Sequence, residues 1–170
     1  MKFLIKRVIN KQLNALRNRS GFKPKHINSM VFIHDTDLDI TEAQFEEMCR
    51  FFSPEITTIE RIHYNANKKM LEGISTPHLH AQSLDWRGRF TADDLLYVFT
   101  QKFDLAVHFV GQITLPLISF SSRINASFRI GPSSMDNDLN DLVLPPTVDF
   151  GAYFSDIRQY FNKINPNERT

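Results

Sequence analysis

Apolar residues recur at helical spacing from the start of the chain. Leu4, Ile5, Val8, Ile9, Leu13 and Leu16 line one side of a helix predicted over residues 2–18, with most of its bases on the other side. Gly21 and Pro24 interrupt the segment Ser20-Gly21-Phe22-Lys23-Pro24-Lys25, which reads as a linker. Residues 29–34 (SMVFIH) form a short apolar run suited to a buried first strand. Thr41 and Gln44 then make a capping box for a helix reaching about Phe52, where Ser53-Pro54 stops it. Phe45, Met48, Cys49 and Phe52 supply its core-facing stripe.

Residues 56–64 alternate like a second strand, 65–69 form a polar turn, and a weaker third strand falls within 77–84. Thr91 is placed to cap a helix that carries Asp93 and Asp94 in its first turn, with Leu95, Leu96, Val98 and Phe99 as the apolar side. Strands follow at 105–110, 126–130 and 142–144, with a helix over 115–123 between the first two. Phe150, Tyr153, Phe154, Ile157, Phe161 and Ile164 keep the 3.6-residue period through a final helix. Strands alternating with helices imply right-handed crossovers and a sheet covered on both faces. The expected fold is therefore α/β: a three-layer, Rossmann-like, mostly parallel sheet of five to six strands, preceded by a basic amphipathic N-terminal helix. Residues 1–25 form the helix and linker, and 26–170 a single α/β domain.

Charge changes this picture more than composition does. The formal net charge of +1 hides an asymmetry, because residues 1–29 hold Lys2, Lys6, Arg7, Lys11, Arg17, Arg19, Lys23 and Lys25 and no acid. Twelve bases against 19 acids remain downstream, a formal −7. A basic arm on an acidic body points to an anionic partner. The single cysteine, Cys49, excludes an internal disulfide and a cysteine zinc cage, and reads as a small buried hydrophobe. No apolar run approaches the roughly 20 residues of a membrane span. Lys6-Arg7 cut off any leader-like segment after Ile5, so the cytoplasm is the expected compartment, with a peripheral place on the inner membrane as the alternative.

Several short runs carry a resemblance: Phe103-Asp104-Leu105, then 126–131 (ASFRIG), then 140–144 (NDLVL), with 84–88 (LDWRG) as a W-[KR]-G element. Together with the basic first helix they resemble a family of uncharacterised small proteins, a domain of unknown function from Bacteroidota-type bacteria. The resemblance spans most of the chain. It implies a small bacterial α/β protein and assigns no catalytic residue.

Candidate chemistry is sparse. Asp35, Asp37 and Asp39 follow the first strand, and 37–41 (DLDIT) fits the D-x-D-x-T outline of aspartate-nucleophile phosphatases. Open α/β sheets place sites at strand C-termini, where paired acids could hold Mg²⁺ while one attacks phosphorus. Asp35-Thr36 nevertheless intervene before the motif, and no matching lysine or acidic pair follows beyond the loose set Asp136, Asp138 and Asp141. The plain alternative is a solvated turn ending in a helix cap. His78 and His80 would share a strand face, and His63 on a neighbouring strand would complete a three-nitrogen zinc site; ordinary histidines are the simpler reading. His34 and His108 lie in the two most apolar strands, as hydrogen-bonded core residues or as the lining of a cleft. No G-x-S-x-G elbow, G-x-G-x-x-G or P-loop is present.

The leading expectation is a non-enzymatic binding or assembly domain without metal or cofactor. It would engage RNA or a ribonucleoprotein, in preference to a membrane surface, through Lys2, Lys6, Arg7, Lys11, Arg17, Arg19, Lys23 and Lys25. The helix's apolar side is a further surface for a protein partner. The alternative is a small-ligand or phosphoester enzyme built on His34, Asp35, Asp37 and His108.

Overall fold

The computed structural model describes residues 2–17, 26–52, 56–136 and 138–164, with side chains from Ile5 onward. Helix α1 (Lys2–Arg17) leads into β1 (Ser29–Asp35), α2 (Glu42–Phe52) and β2 (Thr58–Tyr64). A 3-10 turn at Lys68–Leu71 precedes β3 (His78–Leu79) and α3 (Asp93–Thr100). The chain continues through β4 (Lys102–Phe109), α4 (Leu115–Arg123), β5 (Asn125–Pro132), β6 (Leu142–Leu144) and α5 (Phe150–Ile164). The linker at 20–25 and the stop at Ser53-Pro54 lie outside the described residues.

All six strands pair in parallel in the order β3-β2-β1-β4-β5-β6. Two cores flank the sheet. On one face Ile5, Ile9 and Leu13 of α1 pack with Leu95 and Val98 of α3 and Leu117 and Phe120 of α4. On the other, Phe45, Met48 and Phe52 of α2 meet Phe150, Tyr153, Phe154, Ile157 and Phe161 of α5. The architecture is thus a three-layer α/β sandwich. Phenylalanine fills much of both layers; Phe161, for example, lies edge-on to Phe51, Phe52 and Phe128.

Local signals hold where they are strongest. The Thr41 amide donates to Gln44 Oε1 (2.9 Å), and the Gln44 amide to Thr41 Oγ1 (3.2 Å), a reciprocal cap. Cys49 is half-buried on α2, and desolvation pushes its thiol up to about 11. The cap expected at Thr91 is corrected: Ala92 holds the N-cap position without a side-chain bond, and Asp94 Oδ1 accepts the Leu95 amide instead (2.8 Å). Leu96, expected on the apolar side of that helix, is exposed.

Candidate functional site

Strand order reverses between β1 and β4, so the crevice beyond their C-termini is where an open α/β sheet ordinarily binds a ligand. Asp35 sits there, buried. Its Oδ2 accepts the amides of Gly111 and Gln112 (both 3.2 Å), and its Oδ1 accepts that of Asp37 (3.1 Å). The carboxylate thereby ties the end of β1 to the loop after β4. Asn65 Nδ2 donates to Asp37 Oδ1 (2.8 Å) and to Thr36 Oγ1 (2.9 Å), which joins β2 to the same turn. The acidic turn is therefore internally bonded, with both Asp35 oxygens occupied by backbone donors.

The histidines form a row. His34, His63 and His78 are in register across β1, β2 and β3, so they project from the same face of the sheet. His34 stacks between Phe32 and Phe109, and its Nε2 donates to the Leu38 carbonyl (2.7 Å). The His34 and His63 rings are 5.8 Å apart, but His63 Nδ1 is bonded to Thr76 Oγ1 (2.6 Å) and His78 Nδ1 donates to the Thr76 carbonyl (3.3 Å). Among the described residues, no three His, Cys, Asp or Glu side chains converge on a point that could hold a metal ion. Burial lowers the pKa of His34, His63 and His80 alike.

His108 lies apart from that row, fully buried, and its Nδ1 donates to the Ile130 carbonyl (3.0 Å). Desolvation holds its pKa at about 4, with the neighbouring Arg129 charge pushing the same way. Between about pH 6.5 and 4 the unfolded chain binds a proton at this site that the folded chain does not. Stability is therefore expected to fall as pH drops through that window, by about 3 kcal/mol from this residue. Urea titrations at pH 7 and pH 4 measure the loss. His108→Asn, which keeps a donor but does not titrate, should flatten it.

Helix α1 carries five bases and no acid: Lys2, Lys6, Arg7, Lys11 and Arg17. Its apolar stripe is buried within the chain's own core: Ile5, Ile9 and Leu13 face the sheet and α4, and Ser122 Oγ on α4 donates to Gln12 Oε1 (2.7 Å). The opposite side of the helix remains exposed. Lys6, Arg7 and Lys11 are exposed there, and no ion pair engages them among the described residues. Arg7 and Lys11 are four residues apart and so lie on one outer stripe. Arg17 behaves differently, because it forms a two-point ion pair with Asp138 in the loop before β6. That contact holds the Asp138 carboxyl below its ordinary range. Lys2 opens the helix, and its side chain lies outside the described set, as do Arg19, Lys23 and Lys25.

The surface gains two features that charge counting does not reveal. The loop after β3 closes with a Leu84–Phe90 bridge and rests on α1 through Gly88. Gly88 has φ +75, and a Cβ there would stand 2.8 Å from Ile5 Cγ1, so only glycine fits. Arg123 at the end of α4 donates to the Gly88 carbonyl (2.9 Å), and its guanidinium lies 5.2 Å from the Phe90 ring centroid. A lone Trp between charged residues and a glycine was the available signal for an exposed, fixed loop.

Fold and surface together define an all-parallel, three-layer α/β protein with a cationic outer helix. A model described as a family of unknown function, DUF6913, matches residues 2–164, and the chain belongs to that family. The match includes α1, so the basic helix is part of the family's domain. Comparisons with curated proteins and with solved structures return no match.

Proposed function

We propose that this protein is a non-enzymatic docking domain that binds an anionic partner, RNA or a ribonucleoprotein, on the outward face of α1. The observation that carries the reading is the division of labour on one helix. Ile5, Ile9 and Leu13 fix it in the core, while Lys6, Arg7 and Lys11 stand in solvent without acidic partners among the described residues. A helix held by its own domain keeps its cations in a fixed array, so binding phosphate costs little backbone ordering.

RNA is favoured over a membrane surface because the outward face offers little to bury in lipid. Val8, 46% exposed, is its main apolar side chain among the described residues of the helix. Interfacial helices instead present a broad apolar face to the acyl boundary. A cytoplasmic location and a bacterial origin belong to this same reading. The enzyme alternative draws on the strand C-termini, but there Asp35 and Asp37 are engaged by backbone amides and Asn65.

The test is a triple reversal, Lys6→Glu, Arg7→Glu and Lys11→Glu, assayed against RNA and against anionic vesicles at low salt. RNA affinity is expected to fall at least about 100-fold, since each phosphate contact contributes to the electrostatic term. The urea midpoint should hold, because the three side chains are exposed. Unchanged RNA binding would remove the proposal, and loss confined to vesicles would move it to lipid.

A further inference from the structure

Beside α1 the structure exposes the chain's one tryptophan. Trp86 is 67% exposed, although large aromatic side chains are highly buried on average. The Arg87 guanidinium lies 4.4 Å from its ring centroid, covering one face and leaving most of the indole to solvent. The loop beneath it is tightly held. Asp85 accepts the amides of Arg87 (2.8 Å) and Arg89 (2.9 Å) and the Arg89 Nε (3.0 Å), and the Gly88 amide donates to the Asp85 carbonyl (2.9 Å). Arg89 is thus neutralised by Asp85, whereas Arg87 is committed to the ring.

The loop's position ties this aromatic to the basic helix. Gly88 packs on Ile5, whose neighbours are Lys6 and Arg7. Two residues of chain carry Trp86 at most about 7 Å from Gly88. Six residues of helix carry Lys11 about 9 Å from Ile5. The indole and the exposed cations of the helix thus lie within the span of a few nucleotides, with a π-face near Ile5 and cations from Lys6 to Lys11. A protein-binding or lipid-binding patch would surround an exposed indole with apolar side chains. Here its sequence neighbours are Asp85 and Arg87, and the helix beside it presents Lys6 and Arg7.

We infer that the partner is a single-stranded segment of RNA, one of whose bases stacks on Trp86 while its phosphates run along Lys6, Arg7 and Lys11. The inference rests on the docking function proposed above and adds the strand state and the stacking residue. An indole flanked by a guanidinium is a platform that any base can occupy, so binding should depend weakly on sequence. Unpaired bases are required, because a duplex keeps its faces stacked internally.

Trp86 is the only tryptophan, so its emission reports this loop alone. The full chain is titrated with a uridine oligonucleotide of about 12 residues and with inorganic polyphosphate, binding being followed separately by anisotropy of labelled probe. The expected result is saturable quenching by the oligonucleotide and none by polyphosphate. Trp86→Ala should weaken oligonucleotide binding about tenfold, leave polyphosphate binding unchanged, and be partly rescued by Trp86→Phe. If the oligonucleotide binds without quenching and Trp86→Ala binds equally well, the stacking inference fails while the docking proposal survives. If neither polymer binds, both fail. Preference for duplex over single-stranded RNA would overturn the inference, and so would an emission shift with anionic vesicles alone.

Discussion

Deleting residues 1–25 is expected to unfold the domain, not to leave a neutral truncated globule. Ile5, Ile9 and Leu13 belong to the same buried cluster as Leu95, Val98, Leu117 and Phe120, with Leu16 packed at its edge. Exposing three such side chains forfeits about 1.5–3 kcal/mol each, and the apolar surface they cover is exposed as well. A loss of at least about 5 kcal/mol is comparable to the whole stability of an ordinary domain, about 5–15 kcal/mol. Near-ultraviolet circular dichroism and urea titration of the truncated chain measure this directly. A truncated protein with a wild-type midpoint would show that α1 is an appendage, and would make deletion a clean probe of binding. With α1 seated in the core, deletion confounds binding with folding, and surface charge reversal is the appropriate tool.

Arg129 is expected to give the largest effect of any single polar side chain. It is 1% exposed, on β5, and donates to the carbonyls of Ser121 and Ile124 at the C-terminal end of α4. Those oxygens carry the negative end of the helix dipole and lack donors within the helix, so a guanidinium satisfies them while its own charge is offset. Arg129→Met keeps much of the volume but removes the donors, and should cost about 2–3 kcal/mol. Arg129→Ala adds a cavity and should cost about 4 kcal/mol. Urea midpoints at neutral pH read both. A methionine variant as stable as the parent would mean that the carbonyls find other donors and that the guanidinium has no structural role.

Local patterns in the chain were informative where one element decides its own fate. The box at Thr41 and Gln44 forms because both partners lie on one helical turn, and the aromatic stripe of α5 is buried because its period leaves one face for the sheet. The parallel α/β class followed from the alternation of elements. Features that depend on distant partners were less legible. Arg129 alternates with Phe128 and Ile130, which in a one-sided sheet would place it in solvent; in a parallel sheet covered on both faces it is buried instead. Asp35 reads as part of a solvated turn, because nothing near it in sequence signals that Gly111 and Gln112 will supply its amide donors.

The candidate site divides in the same way. The basic face of α1 was legible from composition and period. That Arg17 turns to Asp138 was not, since the pair is 121 residues apart in the chain. Trp86 was visible only as part of a short motif. Its exposure, and its position next to Ile5 through Gly88, depend on how the loop after β3 folds onto the first helix.

The salt dependence of RNA binding tests most directly whether the outer face of α1 is the docking surface. For single strands, log K falls against log salt by about 0.7 per phosphate neutralised, so Lys6, Arg7 and Lys11 predict a slope of about −2 for the parent chain. Replacing Lys6, Arg7 and Lys11 by glutamate should flatten that slope by about 2 while the fold persists. A parent chain whose affinity ignores salt, or a variant that retains the parental slope, would contradict docking on this helix.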